Sequence, residues 1–238
     1  MKLATLRRDG STVAVRVDET AAVEIGGVAD VGALLGDPDW RAVAEKASGA
    51  AHRLDVLAAD AWAPLVPRPG KIICVGLNYR KHILEMGREL PDHPTLFTIY
   101  PESLIGAGDP LVLPTHAADA VDWEGELAVV IGAPTRRVTE AEAPAAIAGY
   151  AILNDVSMRD FQNRTLQWLA GKSFEKATPF GPFLVTPDEF DPGAELSTVV
   201  SGEQMQHGHV DDLIFTPARL IAYISMIFPL APGDVIST

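Results

Sequence analysis

Three prolines and a glycine fall within Pro64-Leu65-Val66-Pro67-Arg68-Pro69-Gly70, and neither a helix nor a central strand runs through such a stretch. The chain is therefore expected to divide there, into a small α+β N-terminal domain of residues 1–66 and a larger domain of residues 67–238. In the first part, Thr12-Val13-Ala14-Val15-Arg16-Val17 alternates like a strand. Trp40, Val43, Ala44 and Ala47 recur at helical spacing behind Asp39, a possible N-cap. In the second part, Lys71-Ile72-Ile73-Cys74-Val75-Gly76 is a β-branched run closed by glycine and reads as a buried strand.

Further strands are predicted at Thr95–Ile99, Leu127–Ile131 and Tyr150–Leu153, with a hairpin turning at Ser201-Gly202. Helices are fewer. Thr139 with Glu142 makes a capping box opening a short helix that ends at Gly149, and Ser157 with Asp160 opens another that ends at Gly171. Thr216-Pro217 starts a third, with Leu220, Ile221, Ile224 and Phe228 along one side. The fold class is β-dominated α+β.

Charge narrows the range of partners. With 19 basic against 32 acidic side chains, the formal charge of −13 leaves no basic field for a phosphate backbone or an anionic membrane. Cys74, the single cysteine, cannot form an internal disulfide and points to a reducing compartment. Met1–Arg8 lacks the apolar core of a signal peptide, and no apolar run reaches the roughly 18 residues of a membrane span. A cytoplasmic protein is expected.

In an extended Asp122-Trp123-Glu124-Gly125-Glu126-Leu127, residues 122, 124 and 126 share one face, so two or three carboxylates converge. An edge strand with a solvated acidic face carries the same pattern. The apolar strand that follows, and Asp155 where the next apolar run stops, favour a site at strand ends. Carboxylates without nearby His or Cys make an oxygen-only set suited to magnesium, manganese or calcium rather than zinc. After the Gly76 turn, Asn78 can cap a short helix on which His82 and Glu85 are neighbours at i and i+3. Such a pair is either an ordinary surface contact or a general base with a fixed tautomer. Lys172, where a helix is expected to end, can bind a substrate carboxylate or simply complement the helix dipole.

In this order these segments resemble the fumarylacetoacetate hydrolase family, from about Lys71 to the last residue. The matching pieces are Ile73–Tyr79 with His82 and Glu85, Asp122–Leu127, Asn154-Asp155 with Arg159–Gln162, Gly171–Phe174, and Pro232–Ile236. The resemblance implies a mixed β-roll catalytic domain, a homodimer, and Mg²⁺ or Mn²⁺ held by Glu124, Glu126 and Asp155. It also implies a His82–Glu85 dyad on a lid segment, with Lys172, Arg159, Gln162 and Tyr79 around the substrate's oxygens. The expected reaction is C–C bond hydrolysis of an acylpyruvate-type diketo acid, of the kind met in aromatic catabolism, with His82 and Glu85 activating water, Lys172 stabilising the developing negative charge or supplying a proton to it, and the metal stabilising the departing enolate. The same site without a distal carbonyl would decarboxylate oxaloacetate or isomerise 2-hydroxyhepta-2,4-diene-1,7-dioate. Outside enzymes, the alternative is an inactive cation-binding, dimerising scaffold.

Two departures qualify the likeness. Many relatives carry a lysine near the end of the strand where this chain has Thr98-Ile99-Tyr100, and relatives continue beyond Gly233–Thr238 into a Gly-Thr-Pro turn that helps line the pocket. The resemblance thus predicts a catalytic domain cut short at its C-terminus.

Overall fold

The computed structural model describes residues 1–238. Ten strands form one mixed sheet: β1 (Lys2–Arg8), β2 (Ser11–Val17), β3 (Ala21–Glu24), β4 (Ala51–Arg53), β5 (Ile72–Gly76), β6 (Thr95–Thr98), β7 (Gly125–Ile131), β8 (Ile147–Asn154), β9 (Phe183–Val185) and β10 (Val235–Ser237). Their spatial order is β4-β3-β2-β1-β9-β8-β7-β10-β5-β6. Strand β10, although the last in sequence, lies inside the sheet, parallel to β5 on one side and antiparallel to β7 on the other. The β-dominated α+β class expected from the sequence is the one observed.

Burial on both faces explains why the central strands read as unbroken apolar runs rather than alternating ones. Ile72, Cys74, Ala128, Val130 and Val235 face one core, shared with Leu3, Ala14 and Leu34 from the N-terminal residues. Their sequence neighbours Ile73, Val75, Val129, Ile131 and Ile236 face a second core. Strands β1–β4 thus extend the sheet through the β1–β9 pairing and share its larger core.

Six short helices lie against this frame: α1 (Val31–Leu35), α2 (Trp40–Glu45), α3 (Arg80–Glu85), α4 (Arg159–Gln162), α5 (Leu169–Lys172) and α6 (Pro217–Ile227). Helix α6 begins as its sequence predicts. Thr216 Oγ1 accepts from the Arg219 N–H at 3.3 Å, and Leu220, Ile221 and Ile224 are buried against the second core. Each such side chain contributes on the order of 1.5–3 kcal/mol.

Other helix expectations need correction. Asn78 does not cap α3; Tyr79 holds that position, while the Asn78 amide is buried, accepting from Phe215 N–H at 2.8 Å and donating to Phe215 O. The Thr139–Glu142 box forms, but it opens only a 3₁₀ turn at Ala143–Ala146, and Gly149 lies inside β8. Pairing along β7 captures the apolar run before a helix can extend through it. The continuous helix expected from Ser157 to Gly171 is broken. Ser157-Met158 pairs with Val121-Asp122, and a turn in which Thr165 Oγ1 accepts from Gln167 N–H separates α4 from α5. The hairpin is as expected, joining Glu195–Val200 to Glu203–His209 through Ser201 and Gly202, whose positive φ values of 53° and 86° suit a type I′ turn.

Candidate metal centre and active site

Strands β7 and β8 lie side by side, with Gly125 opposite Asn154. Beyond them the two chains stay tied: Asp155 N–H donates to Glu124 O at 2.8 Å and Glu124 N–H donates to the Asn154 side-chain oxygen at 3.0 Å. These bonds bring one carboxylate oxygen each from Glu124, Glu126 and Asp155 within 4.8 Å of one another. Asp122 is not in that group. Extended pairing stops after it and resumes at Gly125, and its Oδ2 takes the Nε and Nη2 donors of Arg159 at 2.9 and 2.7 Å.

Two cations face the carboxylates. Lys172 Nζ, whose side chain is only 2% exposed, lies 2.9 Å from Asp155 Oδ2 and also contacts Glu124 Oε2. Arg159 Nη2 lies 2.7 Å from Glu124 Oε1, and its Nη1 donates to Gln162 Oε1 at 2.8 Å. Lys172 and Arg159 balance only two of the four acids Asp122, Glu124, Glu126 and Asp155, so the cluster keeps an excess negative charge.

Proton affinities follow from this crowding. Burial, followed by repulsion from Asp155 and Glu124, pushes the Glu126 carboxyl well above its ordinary range, against one donor, Ser237 Oγ at 2.5 Å. Burial also lifts Asp155 to about 6, against the opposing pull of Lys172. Burial works against the Lys172 ammonium, but Asp155, Glu124 and Glu126 outweigh it and raise its pKa. For Tyr79, burial and the nearby Glu126 charge push the phenol up to about 12.

A divalent cation fits these residues. The donors are hard oxygens, the site is short of positive charge, and the buried Asp155 Oδ1 has no hydrogen-bond partner. Glu124, Glu126 and Asp155 are the residues that would hold it.

Residues beyond the acids and their cations support the centre. The Gln206 amide clamps Gly125, between two of the acids: Oε1 accepts from Gly125 N–H at 2.9 Å and Nε2 donates to Gly125 O at 2.7 Å. Thr198 Oγ1 donates to the same Oε1 at 2.7 Å, and a Cβ on residue 125 would lie 2.7 Å from that hydroxyl. Only glycine fits. Tyr79 is brought close, its hydroxyl accepting from Leu127 N–H at 3.2 Å and lying 3.1 Å from Thr238 Oγ1. Strand alternation about Ile236 could have flagged Ser237; Gln206, on a separate hairpin, had no such signal.

The structure thus groups Glu124, Glu126, Asp155, Lys172, Arg159, Gln162 and Tyr79. It does not assemble His82 with Glu85: both are exposed on α3, and no hydrogen bond or ion pair joins them. Ile99 is packed in the larger core beside Leu104 and does not face solvent.

Comparison with known proteins places the chain. The fumarylacetoacetate (FAA) hydrolase C-terminal family matches residues 71–238. The chain belongs to the fumarylacetoacetate hydrolase family. It is 41% identical over 177 residues to the mitochondrial oxaloacetate tautomerase FAHD2A of Homo sapiens and 40% identical over 176 residues to Fahd2a of Rattus norvegicus, in both cases over 73% of this chain and 56% of the relative. The chain therefore spans little more than half the length of these curated relatives. Among solved structures, all of this chain matches 86% of a fumarylacetoacetate hydrolase from Exiguobacterium antarcticum, with a TM-score of 0.86 and 30% identity. It also matches 87% of a 5-carboxymethyl-2-hydroxymuconate delta-isomerase from Mycobacterium smegmatis, with a TM-score of 0.83 and 32% identity. The family thus embraces tautomerase, isomerase and hydrolase enzymes of small organic acids. No helix of this chain is long and apolar enough to cross a membrane.

Proposed function

We propose that this chain interconverts the enol and keto forms of a small 2-oxo dicarboxylic acid of the oxaloacetate type, with Mg²⁺ or Mn²⁺ held by Glu124, Glu126 and Asp155. The observation carrying this reading is the buried Lys172 ammonium beside two of those carboxylates, while His82 and Glu85 stand exposed and unpaired. Likeness to the oxaloacetate tautomerases supports it.

The cation, when bound, supplies concentrated positive charge against which a 2-oxo acid's oxygens are oriented and polarised. Lys172 Nζ is the proton carrier: toward the keto form it gives a proton to the enol carbon as the enol O–H bond breaks and its proton passes to water, and water then returns one proton to the lysine amine. In the metal-free chain Asp155, Glu124 and Glu126 outweigh the cost of burial and favour the protonated lysine. Arg159, whose Nε and Nη2 are held by Asp122 and Glu124, offers the remaining Nη1 N–H, beside the one donated to Gln162, to the second carboxylate of the substrate. Tyr79, with its raised pKa, acts as a neutral hydroxyl and not as a base.

Acylpyruvate hydrolysis is the second reading. Helix α3 starts directly after Tyr79, so its closure over a bound substrate would bring His82 and Glu85, neighbours at i and i+3, to the site. A cytoplasmic homodimer belongs to the same proposal. Purified chain is to be assayed with enol-oxaloacetate, acetylpyruvate and 2-hydroxyhepta-2,4-diene-1,7-dioate, in Mg²⁺ and in EDTA. Magnesium-dependent ketonisation of the first is expected; catalysis undiminished by EDTA, or turnover of the second alone, refutes tautomerisation as the main activity.

A further inference from the structure

The Glu195–Val200/Glu203–His209 hairpin carries a second group of ligand atoms, which the reaction above does not use. Glu195 faces His209 across the ladder, and Ser197 faces His207 two residues along. Strand alternation therefore puts both imidazoles on one side of the hairpin, with the carboxylate beside them. His207 Nε2 lies 3.7 Å from Glu195 Oε2, and the two imidazole rings meet edge to face with centroids 5.4 Å apart. One ligand atom from each of the three residues falls within 4.8 Å of the others.

This end of the hairpin is anchored. Val210 N–H donates to Ala194 O at 3.1 Å, just beyond the Glu195–His209 pair, and the Gln206 clamp on Gly125 ties the second strand to β7 next to His207. Ligands on a tied ladder lose little freedom when a metal gathers them.

We propose that Glu195, His207 and His209 form a second metal site, taking a late first-row transition dication such as zinc. The donor chemistry separates the two centres. Imidazole nitrogens favour zinc, nickel and copper, whereas the three-carboxylate centre suits magnesium or manganese. Two nitrogens and one oxygen leave at least one coordination position for solvent, which the exposure of Glu195 and His207 permits.

Copper(II) is the probe, because it binds such sites tightly and its electron paramagnetic resonance spectrum counts coordinated nitrogens. One equivalent is added to the full chain in excess Mg²⁺, which occupies the carboxylate centre. The wild-type spectrum is expected to show splitting from two nitrogens. That splitting is lost in the His207→Asn/His209→Asn double variant, whose magnesium-dependent turnover is unchanged. The single variant His207→Asn, altering a half-exposed ring, is expected to show one nitrogen and serves if the double variant folds poorly. A wild-type spectrum without two-nitrogen splitting, or splitting that survives in the variants, overturns the proposal.

Discussion

Lys172 Nζ lies 2.9 Å from Asp155 Oδ2, and the two side chains are 2% and 0% exposed. A cation and an anion sealed together in this way hold each other's charge, and removing one leaves the other unpaired in a poorly solvated place. Lys172→Met is therefore expected to destabilise the metal-free protein by about 3–5 kcal/mol. Its turnover should fall on the order of 10²–10⁴-fold, as for loss of a proton carrier. Thermal melts in EDTA and in Mg²⁺ check the first point: the deficit should shrink when Mg²⁺ supplies charge beside Asp155. Wild-type turnover in the variant would remove Lys172 from the chemistry.

The pH dependence has a definite sign. Burial pushes the Asp155 carboxyl up to about 6 in the folded chain, against about 3.9 for an unfolded aspartate, and burial with neighbouring carboxylates also raises Glu126 well above its ordinary range. The metal-free folded state therefore holds more protons than the unfolded one across this interval, so its stability falls as pH rises from about 4 through 6. A dication binds the ionised forms and reverses the penalty. The magnesium-induced rise in Tm should be small at pH 5 and larger at pH 8. An equal rise at both values would contradict a carboxylate ligand set.

Gln206→Leu removes both bonds that hold Gly125 between Glu124 and Glu126. Loss of outer support of this kind typically weakens metal affinity 10–100-fold. Calorimetric titration with Mg²⁺ or Mn²⁺ checks this, and undiminished affinity would show that the clamp has no part in holding the ligands.

His82→Ala separates the two reactions. Both side chains of the candidate dyad are exposed, so the variant should fold normally, bind metal normally and keep enol–keto interconversion. Only acylpyruvate hydrolysis should disappear. Loss of ketonisation in this variant would bring His82 into the tautomerase chemistry.

The acidic centre was legible because its determinants are local: Glu124 and Glu126 are two residues apart at a strand's beginning, and Asp155 stands where the neighbouring strand ends. Central strands were legible for a related reason, since burial on both faces writes itself as a continuous apolar run. What escaped depends on distant chain. Nothing near Gln206 announces that it reaches Gly125, 81 residues away. Nothing near Ser157 announces the partner, Asp122, that turns a capping signal into a strand. The spacing of His82 and Glu85 placed them correctly on one helix, yet spacing does not report whether a helix faces the site or the solvent.

The most direct measurement follows Mn²⁺ by the paramagnetic resonance of the free ion during titration of the wild-type chain and Glu126→Gln. Glu126 is buried, its Oε2 accepts from Ser237, and glutamine preserves its shape while removing its charge. One site per chain is expected in the wild type, with affinity reduced about tenfold or more in the variant, together with loss of metal-dependent ketonisation. Equal Mn²⁺ binding by the two proteins would contradict the assignment of Glu124, Glu126 and Asp155 as the metal centre.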